Sequence, residues 1–152
     1  MDQRPCFALG LSSSALPLLQ RLQHCGIAET IALTTKAAEA PPGIPDTVLR
    51  GPASDLLQQH WRGTVLVVGA LGAVTRLIAP LLQSKQTDPA VLVLDADGQL
   101  AVPLLGGHQA GAEALAHQLA ELLGAQAVLT GDCASQKRLA LDAFGRDWGW
   151  RA

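Results

Sequence analysis

Short apolar runs of strand length alternate along this chain with segments whose apolar residues recur at helical spacing, and that alternation leaves few folds open. Cys6–Leu11, Ile27–Thr34, a short stretch near Val48, Thr64–Val68, Ala90–Leu94, Leu100–Leu105 and Ala127–Thr130 read as strands. Between them, Leu18, Leu19 and Leu22 share one helical side, as do Val74, Leu77, Ile78, Leu81 and Leu82, and again Ala112, Leu115, Ala116, Leu119, Leu122 and Leu123. Continuous apolar strands need cover on both faces, which predicts a three-layer α/β/α domain around a mostly parallel sheet. Asp97-Gly98 is a hairpin signal, so one strand runs antiparallel, and Pro103 places that strand at an edge.

Punctuation between these elements follows the same logic. Ser12, Ser13 and Ser14 are cap candidates for the first helix, with Pro17 in its first turn and Gly26 at its end. Ala40–Pro45 is a proline-rich loop, and Ser54-Asp55 starts a short helix that reaches Trp61. Pro80 ends or kinks its helix, because its ring crowds the carbonyl of Arg76 and it has no N–H to donate. Gly124 stops the long helix, and Ser135–Phe144 reads as a last helix with Lys137 and Arg138 outward. Trp148 and Trp150 in the tail are too apolar to leave in water, so they pack on this domain, on a homodimer mate, or on another domain.

The 152 residues suffice for one domain, and 49% hydrophobic residues with a mean hydropathy of +0.24 exclude a disordered chain. A net charge of −2 and 3% aromatics offer neither a basic stripe nor stacking platforms, which argues against nucleic acid. No apolar run approaches the ~18 residues of a membrane span, so no membrane association is expected. Three scattered cysteines, Cys6, Cys25 and Cys133, make neither a disulfide framework nor a metal site, and a reducing cytoplasm is the expected location.

Chemistry concentrates where Leu104-Leu105 breaks at Gly106-Gly107-His108 before the helix that follows Gly111. Glycines there let the chain hold a histidine at the lip of a sheet, beside the N–H groups of a helix start. Four such strand-to-helix junctions, Gly10–Ser14, Gly69–Gly72, Gly106–His108 and Gly131–Ser135, are expected to share the carboxyl edge of the sheet. Ligands of open α/β sheets bind outside that edge, and the helix starts there favour anionic ligands.

The stretch from Leu104 to Ala116 resembles the L-L-x-G-H-x-x-G-A-x-x-L-A signature in the N-terminal domain of the CbiG family, the cobalt-precorrin-5A hydrolases of cobalamin biosynthesis. Gly69–Leu82, with Arg76 and Ile78-Ala79-Pro80, resembles that family's glycine-turn segment, and Lys85, Asp88-Pro89 and Val91–Asp95 follow in the family's order. Two positions depart: Glu113 stands where the family usually has Asn, and Thr130-Gly131-Asp132-Cys133 replaces a Thr/Ala-rich junction. The resemblance implies a reaction in which a lactone of the contracted macrocycle is opened and a two-carbon fragment leaves as acetaldehyde. It implies His108 as the catalytic acid/base, and Gly69, Gly72, Arg76, Gly106, Gly107, Gly111 and Glu113 as substrate-binding residues, to which the first strand-to-helix junction adds Ser12 and Ser13. It implies no cofactor, any cobalt belonging to the corrinoid substrate. It also implies partners, either a second CbiG-like domain or a precorrin-3B C(17)-methyltransferase domain, so this chain is expected to be part of a longer protein or a partner-dependent subunit.

Plainer roles stand beside these. His24, His60 and His117 read as surface residues, and His117 lies half a helical turn from the His108 direction. Arg76 can be a solvated side chain, Asp95 and Asp97 turn formers, and Cys133 a structural thiol. Two other function classes compete with the hydrolase reading. One is a non-catalytic docking or substrate-binding module for a methyltransferase. The other is a dinucleotide-binding unit over Val65–Asp95, which lacks a first fingerprint glycine because Val67 occupies that position.

Overall fold

The computed structural model describes residues 5–34, 44–106 and 111–130. Its elements alternate as expected. Strand β1 (Cys6–Gly10) leads through a 3₁₀ turn to α1 (Leu16–His24), then come β2 (Thr30–Thr34), β3 (Leu49–Gly51) and α2 (Ala53–Gln59). Next are β4 (Thr64–Val68), α3 (Leu71–Ile78), β5 (Ala90–Leu94), β6 (Leu100–Leu105), α4 (Ala112–Leu123) and β7 (Gln126–Ala127). One seven-stranded sheet takes the order β3-β2-β1-β4-β5-β6-β7.

Side-chain alternation divides the core into two layers. Cys6 and Ala8, Leu66, and Leu92 and Leu94 meet Leu19, Leu22, Ala116 and Leu119, so α1 and α4 cover one face. Phe7 and Leu9, Val65 and Val67, and Val91 and Val93 meet Leu56, Leu57, Val74 and Ile78, so α2 and α3 cover the other. Every residue of β1 and β5 is buried, which explains why their sequences lack polar alternation.

The direction of β6 decides where everything after it lies. β1 to β5 are parallel, but β6 is antiparallel to β5, with Ala101 opposite Leu94 and Leu105 opposite Val91. β7 is parallel to β6 and so also runs in the reversed direction. Right-handed β-α-β crossovers that move across the sheet in one direction fall on one face, and reversing the strands moves the helix to the opposite face. That is why α3, between β4 and β5, and α4, between β6 and β7, lie on opposite sides.

Several local expectations hold and a few shift. Asp95 closes the hairpin, its Oδ1 accepting from the backbone N–H of Gln99 at 2.7 Å and of Leu100 at 2.8 Å. Pro80 ends α3, the chain tightening into a 3₁₀ turn over Ala79–Leu81. The antiparallel strand carries a neighbour outside it, because β7 pairs with Leu100 and Ala101. Pro103 lies beyond that pairing and beside an irregularity in the β5–β6 ladder, so its missing N–H costs no ladder bond on the outer side. Ser12 makes no side-chain cap, its hydroxyl instead contacting that of Ser14 at 2.6 Å.

Candidate functional site

Reversal of β6 separates the junctions that the sequence places together. Gly10–Ser14 and Gly69–Gly72 follow the carboxyl ends of β1 and β4. Gly106 follows β6 and lies at the opposite edge, because Leu105 is paired with Val91 near the start of β5. The expectation of one shared cleft is therefore overturned: Ser12, Ser13, Gly69 and Gly72 are on one edge, and Gly106, Gly111 and Glu113 on the other. The sequence marks Asp97-Gly98 as a hairpin, and a strand that returns through a hairpin must end where its partner begins.

At the carboxyl edge the crevice between β1 and β4 is occupied by the chain's own side chain. Leu11 packs over Gly69 so closely that a Cβ on Gly69 would lie 2.6 Å from its Cδ1. Gly69 thus serves a close approach of side chain to backbone, and Gly72 lies exposed in the first turn of α3 with open space around it.

The opposite edge holds a cavity of about 310 Å³ bounded by Leu82–Lys85, Asp88, Pro89, Leu105 and Gly106. Its floor is largely apolar from Leu82, Pro89 and Leu105, and Lys85 supplies the cation. The loop that carries Lys85 is held by its own polar groups. Both carboxylate oxygens of Asp88 accept the Gln83 N–H, at 3.1 and 3.0 Å, and the Ser84 hydroxyl accepts the Thr87 N–H at 3.1 Å. Asp88 therefore acts as a loop clasp.

Gly106 closes the second wall, with Gly111 beside it. Both have left-handed backbone, φ +68° and +88°, and the Ala112 N–H donates to the Gly106 carbonyl at 3.2 Å. Glycine is required there because a Cβ disfavours that conformation. Gly111 is the N-cap of α4 and no side chain caps that helix, so the positive end of its dipole faces this corner with Glu113 in the first turn. Gly107 and His108 lie outside the described residues, but the two ends of their segment, Gly106 and Gly111, meet here.

α3 runs back from the carboxyl edge with Arg76 exposed in its last turn, and Arg76 is not among the residues that line the cavity. Two of the segments singled out by their motifs, Lys85–Pro89 and Leu104–Gly106, meet at one corner. Gln83 and Ser84 also line it and were not singled out in the sequence; the Ser84-x-x-Thr87-Asp88 turn pattern is the signal that marks this loop as built.

Elsewhere among the described residues, His60 and Cys6 pack within the fold. His60 is half-buried, contrary to the surface position expected of it: its ring stacks on Phe7 with centroids 4.0 Å apart, and its Nδ1 lies 2.9 Å from the Leu56 carbonyl. Its place just after α2, facing β1, explains the burial. His24 and His117 are exposed, as expected. Cys6 is buried, and burial foremost, with the charge of Glu29 second, pushes its thiol up to about 12. Cys133 lies outside the described residues. Among the described residues no group of three or more His, Cys, Asp or Glu side chains is placed to hold a metal, and no helix is long and apolar enough to cross a membrane.

Comparisons with known proteins agree with the motif segments. A cobalt-precorrin-5A hydrolase of Priestia megaterium is 40% identical over 94 residues, 62% of this chain and 25% of that protein. One of Salmonella typhimurium is 44% identical over 80 residues, 53% of this chain and 23% of that protein. The chain therefore spans about a quarter of the length of these curated relatives. The crystal structure of a cobalamin biosynthesis protein G homolog from Sulfolobus solfataricus superposes with a TM-score of 0.61 at 25% identity, covering 84% of this chain and 37% of that one. The family model described as "Cobalamin synthesis G N-terminal" matches residues 55–133, just over half of the sequence, and that span holds the Arg76, Lys85 and Gly106 segments. The chain belongs to the cobalamin synthesis G N-terminal family.

Proposed function

We propose that this domain binds a cobalt-precorrin at the Gly106 corner and takes part in opening its lactone ring, with acetaldehyde as the released fragment. The observation that carries the reading is the cavity shared by the Lys85–Pro89 loop and Gly106, beside the N-terminus of α4. The names of the curated relatives support the same pathway.

The chemistry suits the corner. A corrinoid precursor carries acetate and propionate groups; Lys85 and the start of α4 place positive potential beside a largely apolar floor, and Arg76 is an exposed cation on α3. His108, four residues before the N-terminus of α4 by sequence, is assigned the proton transfer: it takes a proton from the water that attacks the lactone carbonyl and returns one to the leaving oxygen. Imidazole titrates near neutral pH, which suits both steps. Backbone N–H groups around Gly107 and Gly111 are assigned the developing oxyanion. Any cobalt arrives with the substrate. Because the domain corresponds to about a quarter of the relatives' length, binding is assigned to this chain and turnover to the chain together with a partner domain.

The test separates binding from chemistry. Titration with a lactone-bearing cobalt-precorrin, followed by its visible absorbance, should give saturable binding that Lys85→Ala and Arg76→Ala each weaken by about 5–10-fold, on the scale of one partly exposed charged contact. Acetaldehyde release with the partner domain present should fall ~100-fold or more in His108→Ala at unchanged affinity. Binding that neither charge variant alters would place the ligand elsewhere, and unchanged turnover in His108→Ala would remove that residue from the chemistry.

A further inference from the structure

The loop between the end of α3 and the start of β5 is closed on itself by one side chain. After the 3₁₀ turn over Ala79–Leu81, Leu82 takes extended backbone, φ −67° and ψ 131°, and the helical run of N–H donors ends there. Asp88, five residues beyond Gln83, takes the Gln83 N–H with both carboxylate oxygens. Between them Ser84–Thr87 forms a turn. The Ser84 carbonyl accepts from the N–H groups of Thr87 at 3.2 Å and Asp88 at 2.9 Å, and the Ser84 and Thr87 hydroxyls lie 2.7 Å apart. Lys85 is the second residue of that turn, and the chain is anchored directly after Asp88 by Pro89 and Ala90, both buried.

The charge of Asp88 runs against the ligand proposed for the cavity. Among the described residues that line it, Lys85 is the cation and Asp88 the anion. A polycarboxylate gains from the first and is repelled by the second, and solvent screens that repulsion only in part where Asp88 is half-buried. By charge alone, a neutral residue at position 88 would bind such a ligand better. An acid there is accounted for by what its side chain holds: an ionised carboxylate accepts an N–H more strongly than a neutral oxygen does, and this N–H closes the turn that carries Lys85. Lys85 is exposed and rich in rotamers, so its contribution to binding depends on how far its backbone is already in place.

We propose that Asp88 is the positioning residue of this site: it does not touch the ligand, but holds the Ser84–Thr87 turn, and with it Lys85, at the cavity. The proposal rests on the reading of that cavity as the cobalt-precorrin site. The sign of the effect separates positioning from charge. Asp88→Asn keeps an oxygen to accept the Gln83 N–H and removes the charge, so affinity should be kept or rise. Asp88→Ala removes the charge and the clasp together, so affinity should fall.

The experiment uses the full chain and two readouts. Amide exchange followed by NMR reads the loop with no ligand present: the Gln83 N–H should exchange ~10-fold faster or more in Asp88→Ala and stay close to the parent in Asp88→Asn. Titration with the lactone-bearing cobalt-precorrin reads the site: Asp88→Ala should weaken binding by about 2–10-fold, the factor that ordering one rotamer-rich side chain is worth, and Asp88→Asn should not weaken it. In a Lys85→Ala background Asp88→Ala should have no further effect, because no cation is left to position. Unaltered Gln83 exchange in Asp88→Ala, affinity unchanged or raised in that variant, or full additivity of the two alanine variants would overturn the proposal; a turn that is only structural would lower thermal stability and leave affinity as it was. Failure of the underlying reading looks different: no binding by the parent chain would remove the site and the proposal with it, while the exchange result stood.

Discussion

A methyl group added at Gly72 and one added at Gly111 enter open space alike, yet they should move stability in opposite directions and report which edge of the sheet is functional. An ideal Cβ at either glycine meets no atom of the described residues within 4 Å, so the backbone decides. Gly72 is in the first turn of α3 with no left-handed backbone, so Gly72→Ala narrows the unfolded ensemble and should stabilise by about 0.5 kcal/mol, the low end for an exposed helical site. Gly111 has φ +88°, where an L side chain costs about 1–2 kcal/mol. At the usual sensitivity of a domain this size, about 2–4 °C per kcal/mol, thermal unfolding should rise by about 1–2 °C in the first variant and fall by about 2–8 °C in the second. Circular dichroism melts on both variants read these shifts. The functional half is cobalt-precorrin affinity, which Gly72→Ala should leave unchanged and Gly111→Ala should lower, because the latter disturbs the start of α4 beside the cavity. Loss of affinity in Gly72→Ala with its stability raised would refute the reasoning, since it would return the ligand to the carboxyl edge where Leu11 now packs.

Gly69→Ala should destabilise by about 1–3 kcal/mol through overpacking against Leu11, and Leu11→Ala should recover at least ~1 kcal/mol of it in a double-mutant cycle of urea unfolding; strict additivity would show that Leu11 is not the obstacle. Cys6 gives the pH test. Its thiol is raised from 9.0 to about 12, so its contribution is complete below pH 9 and is lost as pH rises toward 12, the unfolded chain ionising first. Relative to Cys6→Ala, the parent should lose about 2 kcal/mol between pH 8 and pH 10.5 in urea melts, and a thiol reagent at pH 8 should modify exposed Cys25 but not Cys6.

Much of the layering was legible because burial writes itself into sequence as unbroken aliphatic runs. Thr64–Val68 and Ala90–Leu94 are strands with the boundaries their sequences suggest, and Gly124 and Pro80 end their helices where their chemistry requires. β7 was anticipated at Ala127–Thr130 and forms at Gln126–Ala127, a shift set by pairing to Leu100 and Ala101, which no local pattern encodes. His60 was misplaced for a similar reason: its stacking partner Phe7 is distant in sequence and is brought to it by the sheet.

The site was half legible, and the half that was missed follows from one hairpin. The glycine turns were found because each requires a residue without a Cβ, but a turn's chemistry does not record which edge of a sheet it lies on. That is a property of strand direction, and direction changes once, at Asp97-Gly98, between β5 and β6. Carried through, the reversal accounts for three separate features together. It sends Gly106 and the α4 N-terminus to the edge occupied by the 82–89 loop, so that Lys85 and Gly106 share a cavity. It puts α4 on the face opposite α3, because a right-handed crossover between reversed strands must lie there. And among the described residues it makes α4 the helix that packs most on β6, from the face of Ala101. A protein in which the 97–98 turn were lengthened until β6 could pair parallel to β5 would lose all three at once. The candidate site is therefore a consequence of that hairpin as much as of the residues that line it.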